Sequence, residues 1–489
     1  MTGTSRRALL RSGVGTLLGA GALGAIAGCG TDAGVAAAAM RAPDSSLDPY
    51  FPGQGTGGLL VNHCELDLRY TYFASRPAGT LSGTATIRIL PFADLSGLSL
   101  DLASALRVES VRVNGAPAAF SRKIPDKLGI TPAAVLPNAE MATLQIAYSG
   151  APQPVTVAGV GAVGWQQAAA PAAPGSAGPL SLPIGAPTWY PCADHPTLKA
   201  PYRISVTAPS ELSVLANGTL VGKSAARGTT TWTYANDQPM AGYLAEVRIG
   251  DFVVDTAKGP KGVQIRNAYP ARLAQQAGYD LGRQAEMISV FDTLFGAYPF
   301  DVFGTAALDG LPTAGAAAQT LGLLDAALVD GKRSTEDLIA YSLAAQWFGA
   351  SVSIGTWADI WLTTGFATYG QWLWAERSGA ASADSAARAA MARLAALPAD
   401  LVLADPGAQR ILDPRVALRG ACFLHALRLV TGDLTFFQLL ALWANRGQGG
   451  SATTGDFLQA VPGAFTTQDL TDFMNAWAYA TALPQLPQS

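Results

Sequence analysis

Gln346-Trp347-Phe348-Gly349, followed by Trp357-Ala358-Asp359-Ile360-Trp361-Leu362 and Gly365-Phe366-Ala367-Thr368-Tyr369, is the densest aromatic stretch in the chain. Phe366, Tyr369 and Leu373 recur at helical spacing, which predicts a helix with one buried face. The same period extends to both sides. Met287, Phe291 and Leu294 mark a face that ends before Tyr298-Pro299-Phe300. The run 422–430, and then Phe437, Leu440 and Trp443, mark further helices downstream. Thr453-Thr454-Gly455-Asp456 ahead of Phe457-Leu458 has the form of a capping box.

Before about residue 255 the period is two. Cys64, Leu66, Leu68 and Tyr70 alternate, as do Ala85, Ile87 and Ile89, Leu144, Ile146 and Tyr148, and Tyr202, Ile204 and Val206. Tyr243, Ala245, Val247 and Ile249 continue the pattern. This is the signature of half-buried strands. Asn114-Gly115 and Asn217-Gly218 fall between such runs and read as hairpin turns. The Gly/Pro/Ala-rich stretch 168–187 reads as an exposed loop. An antiparallel β-sandwich followed by a mainly helical domain is the expected architecture, with no internal repeat.

The 489 residues carry a formal net charge of −3, with 14% charged and 49% hydrophobic residues. Charge is sparse, but no long polar tract points to disorder. Scattered charges of both signs argue against a nucleic-acid binder. The histidines are three, His63, His195 and His425, and no two are close in sequence.

The first residues read as an address. Ser5-Arg6-Arg7 precedes a Gly/Ala/Leu-rich run of about 15 residues that ends at Ile26-Ala27-Gly28-Cys29. That run is short of the roughly 20 residues that span a bilayer. The arginine pair resembles a twin-arginine export signal, and Ile26-Ala27-Gly28-Cys29 resembles a lipobox, which implies lipidation of Cys29. More than one acyl chain gives stable anchoring. The expected location is therefore the outer face of the cytoplasmic membrane in a bacterial envelope. Residues 30–46 read as a flexible tether. Cys64, Cys192 and Cys422 remain, enough for at most one disulfide; three small buried hydrophobes is the simpler reading.

The aromatic stretch resembles the aminopeptidase N family of zinc exopeptidases (gluzincins). There a helix carrying H-E-x-x-H runs into Q-W-F-G, and a glutamate ligand follows in L-N-E-G-F-A. Asp48-Pro49-Tyr50-Phe51-Pro52-Gly53 and Leu81-Ser82-Gly83-Thr84-Ala85 look like the entry to the family's first strands. Trp189-Tyr190-Pro191-Cys192, with Asp194, Pro196, Lys199 and Ala200, resembles its W-x-P-x-x-D-x-P-x-x-K-A segment. Phe295-Gly296-Ala297-Tyr298-Pro299-Phe300 and Arg419-Gly420-Ala421 match further junctions. The resemblance implies an α+β chain, with an N-terminal antiparallel β-sandwich over 47–255 and a thermolysin-like, mainly helical domain over 256–489. Residues 1–29 and 30–46 are signal and tether.

The resemblance also implies a zinc site, and its positions are substituted. Tyr341 and Ala345 stand where the two histidine ligands belong, and Thr364 where the glutamate ligand belongs. Ser342 replaces the general base. Gln319 matches the glutamate that grips the substrate's amine, and Ala417 the tyrosine that steadies the oxyanion. No catalytic residue is retained and no metal or other cofactor is expected. Trp347, Asp359 and Phe366 persist and are the candidate second-shell or cleft remnants, although core packing by itself also accounts for retaining large aromatics. The expected function is a lipid-anchored, catalytically silent aminopeptidase-like protein holding a peptide or protein in the cleft between its domains. Two alternatives are an altered hydrolase with an unrecognised site and a structural envelope protein that binds a partner through the sandwich edge or the Ala-rich loop.

Overall fold

The computed structural model describes residues 39–46, 48–72, 79–167, 177–461 and 467–488, without the side chains of 467, 468 and 470. The export signal, Cys29, most of the tether and positions 168–176 lie outside the described residues.

Alternation builds the first domain. Leu59–Thr71, Thr80–Pro91, Ala142–Gly150 and Lys199–Pro209 turn Leu66, Ile87, Ile146 and Val206 to one buried face. These strands are the centre of an eight-stranded sheet. Its pairs are antiparallel except Lys199–Pro209 beside Leu59–Thr71, where Ile204 pairs with Leu66 in parallel register. A five-stranded sheet, which includes Val247–Gly250, and a four-stranded sheet complete the domain. Side chains from all three sheets share one core.

The turn at Asn114-Gly115 is a hairpin, as predicted. Both residues have positive φ, 49° and 80°, and Val113 pairs with Ala116. The Asn217-Gly218 turn is not a hairpin. The strand before it, Ser213–Ala216, pairs with Val247–Gly250, whereas the strand after it, Thr219–Ala226, pairs with Thr229–Ala241 in the other sheet. Tyr243 belongs to a 3-10 turn, Gly242–Leu244, rather than to a strand.

The predicted loop 168–187 is corrected over its second half. Ala177–Leu180 is a buried strand paired with Gly161–Gln167, and Ala186–Thr188 is a buried 3-10 turn. Small residues are needed here because the backbones approach closely: a Cβ on Gly178 would lie 2.1 Å from the Val247 carbonyl oxygen. The tether is also shorter than expected. Met40–Arg41 pairs in parallel with Leu95–Asp101, and Ala42 is buried.

Period-based reading misses a further mixed sheet at the start of the helical domain. Its order is Val253–Lys258, Gln264–Tyr269, Val302–Leu308, Leu321–Asp325, Gly315–Ala318. Because Val253–Lys258 belongs to this sheet, the junction falls near residue 251 rather than 255. The apolar runs of the central strands carry no alternation, since both faces are covered.

Glu336–Trp347 packs against this sheet, Trp361–Arg377 packs on that helix, and Pro414–Thr431 packs on Trp361–Arg377. Gln284–Phe295, Glu336–Trp347, Trp361–Arg377 and Pro414–Thr431 bury the predicted faces. Glu336 and Asp337 occupy the first turn of their helix, where the macrodipole favours acids. Thr453 and Asp456 form the predicted capping box. Trp361–Arg377 crosses Pro414–Thr431 at Gly365 and Gly420, where a Cβ on Gly420 would lie 2.9 Å from the Gly365 Cα.

Candidate functional site

A cavity of about 450 Å³ lies between the first domain and the helical domain. Its floor is helical. Tyr341 and Ala345, one turn apart on Glu336–Trp347, line it together with Thr363 and Thr364 of Trp361–Arg377. The structure thus brings the two histidine-matching positions and the glutamate-matching position to one wall, as i, i+4 spacing on one helix and a neighbouring helix require.

The edge strand Gly315–Ala318 forms a second wall and contributes Ala316, Ala317 and Ala318. No polar side chain enters from this strand. Gln319 is corrected: it is fully buried outside the lining, its Nε2 donates to the Gln238 carbonyl at 3.3 Å, and its own carbonyl accepts from Asn217 Nδ2 at 2.6 Å.

Ser342 is buried beside this wall, and its hydroxyl donates to the Ala316 carbonyl at 3.3 Å. Ala417, in the first turns of Pro414–Thr431, does not line the cavity. The three remnants likewise lie elsewhere. Trp347 Nε1 donates to the Gly296 carbonyl at 3.0 Å, and its ring packs edge-on against Phe291, Phe295 and Tyr298. Phe366 packs against Phe348, Trp361 and Phe457. Asp359 accepts from the N–H and hydroxyl of Thr454 on one oxygen, and from the N–H and hydroxyl of Thr356 on the other. It is a clamp between helix starts rather than a support of the cavity.

None of the histidines reaches the cavity. His195 Nδ1 shares a hydrogen bond with Thr197 Oγ1 at 2.8 Å. His425 lies between the Tyr369 hydroxyl, 3.2 Å away, and Asp384, 3.4 Å away. His63 is half-buried on Leu59–Thr71 at an irregularity in the pairing. Cys64, Cys192 and Cys422 are buried free thiols.

A catalytic zinc needs three ligands that are neutral imidazoles or carboxylates, with a fourth position open. The matching positions offer a phenol, a methyl group and an alcohol. Burial pushes the Tyr341 phenol up to about 12, so it stays protonated. The Thr364 hydroxyl donates to the Ile360 carbonyl at 3.3 Å. Among the described residues no group of three or more His, Cys, Asp or Glu is gathered to hold a metal ion. These residues do not fit zinc.

The first domain supplies the remaining walls, from Val160–Val163, Leu180–Leu182, Tyr243, Leu244 and Glu246. Here lie the residues that sequence reasoning missed. Glu246 is 3% exposed, and its carboxylate is paired with Arg248, 2.8 Å away. Burial pushes the Glu246 carboxyl up to about 7, against the pull of Arg248. The Tyr243 hydroxyl donates to the Gly349 carbonyl at 3.3 Å, across the domain boundary.

The comparisons with known proteins agree with this architecture. The Peptidase M1 N-terminal domain matches residues 62–244, and the Peptidase family M1 domain matches residues 303–477. The structure is similar to an M1 zinc metallopeptidase from Deinococcus radiodurans, solved as a mutant bound to a Tyr-Ser-Ala substrate. The TM-score is 0.82 and the identity 31%, over 91% of this chain and 99% of that one. Aminopeptidase N of Bos taurus is 31% identical over 205 residues, and the Arabidopsis thaliana Aminopeptidase M1 27% identical over 205 residues. Those matches cover 38% and 39% of this chain but only 21% and 23% of the relatives, so the chain spans well under half of their length. A sheet-rich domain followed by a helical domain matches the two-domain M1 structure. The chain belongs to the M1 peptidase family, as an aminopeptidase N-like member.

Proposed function

We propose that the protein is a catalytically silent M1 member that holds a peptide or a protein terminus in the interdomain cavity without cutting it. One observation carries this reading: the cavity stays open while Tyr341, Ser342, Ala345 and Thr364 occupy the ligand and base positions around it. Water attacking a peptide carbonyl there would meet no metal and no carboxylate at the base position. The substituted oxyanion position, Ala417, removes a donor whose loss alone costs roughly 100- to 1000-fold in rate. Solved neighbours hold a Tyr-Ser-Ala substrate, L-tryptophan and L-arginine, which supports a ligand of amino-acid or peptide type. The protein is anchored through Cys29 to the outer face of the membrane.

Metal analysis of the purified chain, with hydrolysis of a panel of aminoacyl fluorogenic substrates, tests this. The expected result is substoichiometric zinc and no turnover, while short peptides still bind by calorimetry. Restoring Tyr341→His, Ser342→Glu, Ala345→His and Thr364→Glu together is expected to raise zinc to one per chain. Stoichiometric zinc in the natural chain, with hydrolysis abolished by Ser342→Ala, would overturn the proposal.

A further inference from the structure

Large apolar side chains exposed one at a time are ordinary, but a cluster of them marks a contact surface. The turn 91–95, at the strand ends of the sandwich, carries such a cluster. Phe92 stands on it, 62% exposed. Backbone bonds gather four more exposed residues, Met40, Leu60, Val135 and Met141, around this turn. Met40 N donates to the Asp94 carbonyl at 2.9 Å, and Phe92 N to the Gly58 carbonyl at 2.9 Å, two residues before Leu60. Leu95 exchanges backbone bonds with Leu136, which follows Val135. Ala139 N donates to the Pro91 carbonyl at 2.9 Å, two residues before Met141. Leu60 also pairs with Leu90, and Ile89 with Ala142, so Leu60, Leu90 and Met141 fall at one level on three neighbouring strands. Exposed Arg41 and Arg88 are balanced by exposed Asp94 and Glu140. The attraction this rim offers is therefore apolar rather than electrostatic.

We propose that this rim seats the protein on the lipid bilayer, with Phe92, Leu60 and Met141 entering the boundary between headgroups and acyl chains. The inference rests on the reading that Cys29 is lipidated, and it adds which face the membrane meets. The course of the chain commits the rim to lipid. Met40, the second described residue, belongs to the rim, and ten residues lie between it and Cys29. A stretch of that length spans at most about 40 Å even when fully extended. A bilayer that holds the acyl chains of Cys29 is thus within reach of the rim. Aromatic and aliphatic side chains bury at the membrane boundary in proportion to the apolar area they remove from water. A few of them bind weakly alone. Beside an anchor the second contact is intramolecular, so the same side chains suffice to fix orientation.

Quenching by brominated lipid tests this, with the full lipid-processed chain in phosphatidylcholine vesicles. A bimane label is placed at Phe92→Cys or, for comparison, at Val221→Cys, an exposed residue on the edge strand Thr219–Ala226 of the same sheet. Cys64, Cys192 and Cys422 are buried and do not compete for the label. The expected result is that the chain floats with the vesicles and the Phe92 label loses about half of its emission or more, while the Val221 label is unchanged. Phe92→Asp with Met141→Asp, read by a label at Leu60→Cys, is expected to abolish the quenching while flotation persists. A chain that floats with neither label quenched, or with both quenched alike, overturns the seat and leaves the anchor standing. Shielding of the Phe92 label from aqueous iodide without quenching by lipid gives the rim to a second copy and likewise overturns the seat. A chain that does not float overturns the anchor and the seat together.

Discussion

Glu246 sits in the polar phase of an alternating run, Ala245-Glu246-Val247-Arg248-Ile249, and alternation assigns it with Arg248 to a solvent face. The strand that carries Arg248 is flanked by Ala177–Leu180 and Ser213–Ala216 in its sheet, and its other face is covered too. The sequence signal was an E-x-R pair of opposite charge, which is equally common on exposed strands. Burial sets the sign of its pH response. A carboxyl raised from 4.5 to about 7 adds stability that is complete below about pH 4.5 and is lost as pH rises through about 7. Thermal unfolding of the natural chain and Glu246→Gln from pH 4.5 to 8 measures this. The variant is expected to gain on the natural chain as pH rises, by on the order of 3 kcal/mol or less. A difference that does not change with pH contradicts the raised carboxyl.

Among the elements, the helix pair Glu336–Trp347 and Trp361–Arg377 was legible because large aromatics at helical spacing need a core. Trp347, Trp361, Phe366 and Tyr369 are all buried as that pattern implies. The resemblance assigns Tyr341, Ala345 and Thr364 to one site, and the structure lines one cavity with all three. The edge strand Gly315–Ala318 was not legible, because four small residues carry no period. Asp359 shows how an apparent relic of chemistry serves an element instead. Its two oxygens join Thr356, at the turn before one helix, to Thr454, at the start of another. Asp359→Ala orphans four buried or half-buried donors and is expected to cost about 3–5 kcal/mol in urea unfolding. Peptide binding should persist below the transition, since Asp359 does not line the cavity. Loss of binding at unchanged stability would return Asp359 to the site.

In the whole molecule, the cavity depends on how the two domains are held. Lys199, from a strand of the first domain, is buried and donates to the carbonyls of Ala350, Ser351 and Gly450 at 2.9–3.0 Å in the helical domain. Ser353 Oγ adds a bond to the Pro196 carbonyl at 3.1 Å. These contacts seat the sandwich on the carbonyl-rich turn that follows the motif helix. The proposed anchoring to the membrane belongs to this scale as well. Among the described residues no helix is long and apolar enough to cross a membrane. The proposed attachment is through Cys29, and Cys29→Ala is expected to move the protein from the membrane fraction to the soluble exported fraction. A variant that stays in the membrane fraction would place the anchor elsewhere.

The chain's residues alone determined the family, through its motif resemblances, and the side-chain chemistry that Tyr341, Ser342, Ala345 and Thr364 offer at the matching positions, because both are properties of local sequence. Only the tertiary structure decided that the substituted site remains an open cavity and that Glu246 stands in its wall. It also placed Gln319 outside that wall and made the second half of the presumed loop a buried strand. Those outcomes depend on what covers each face, and long-range packing sets that cover.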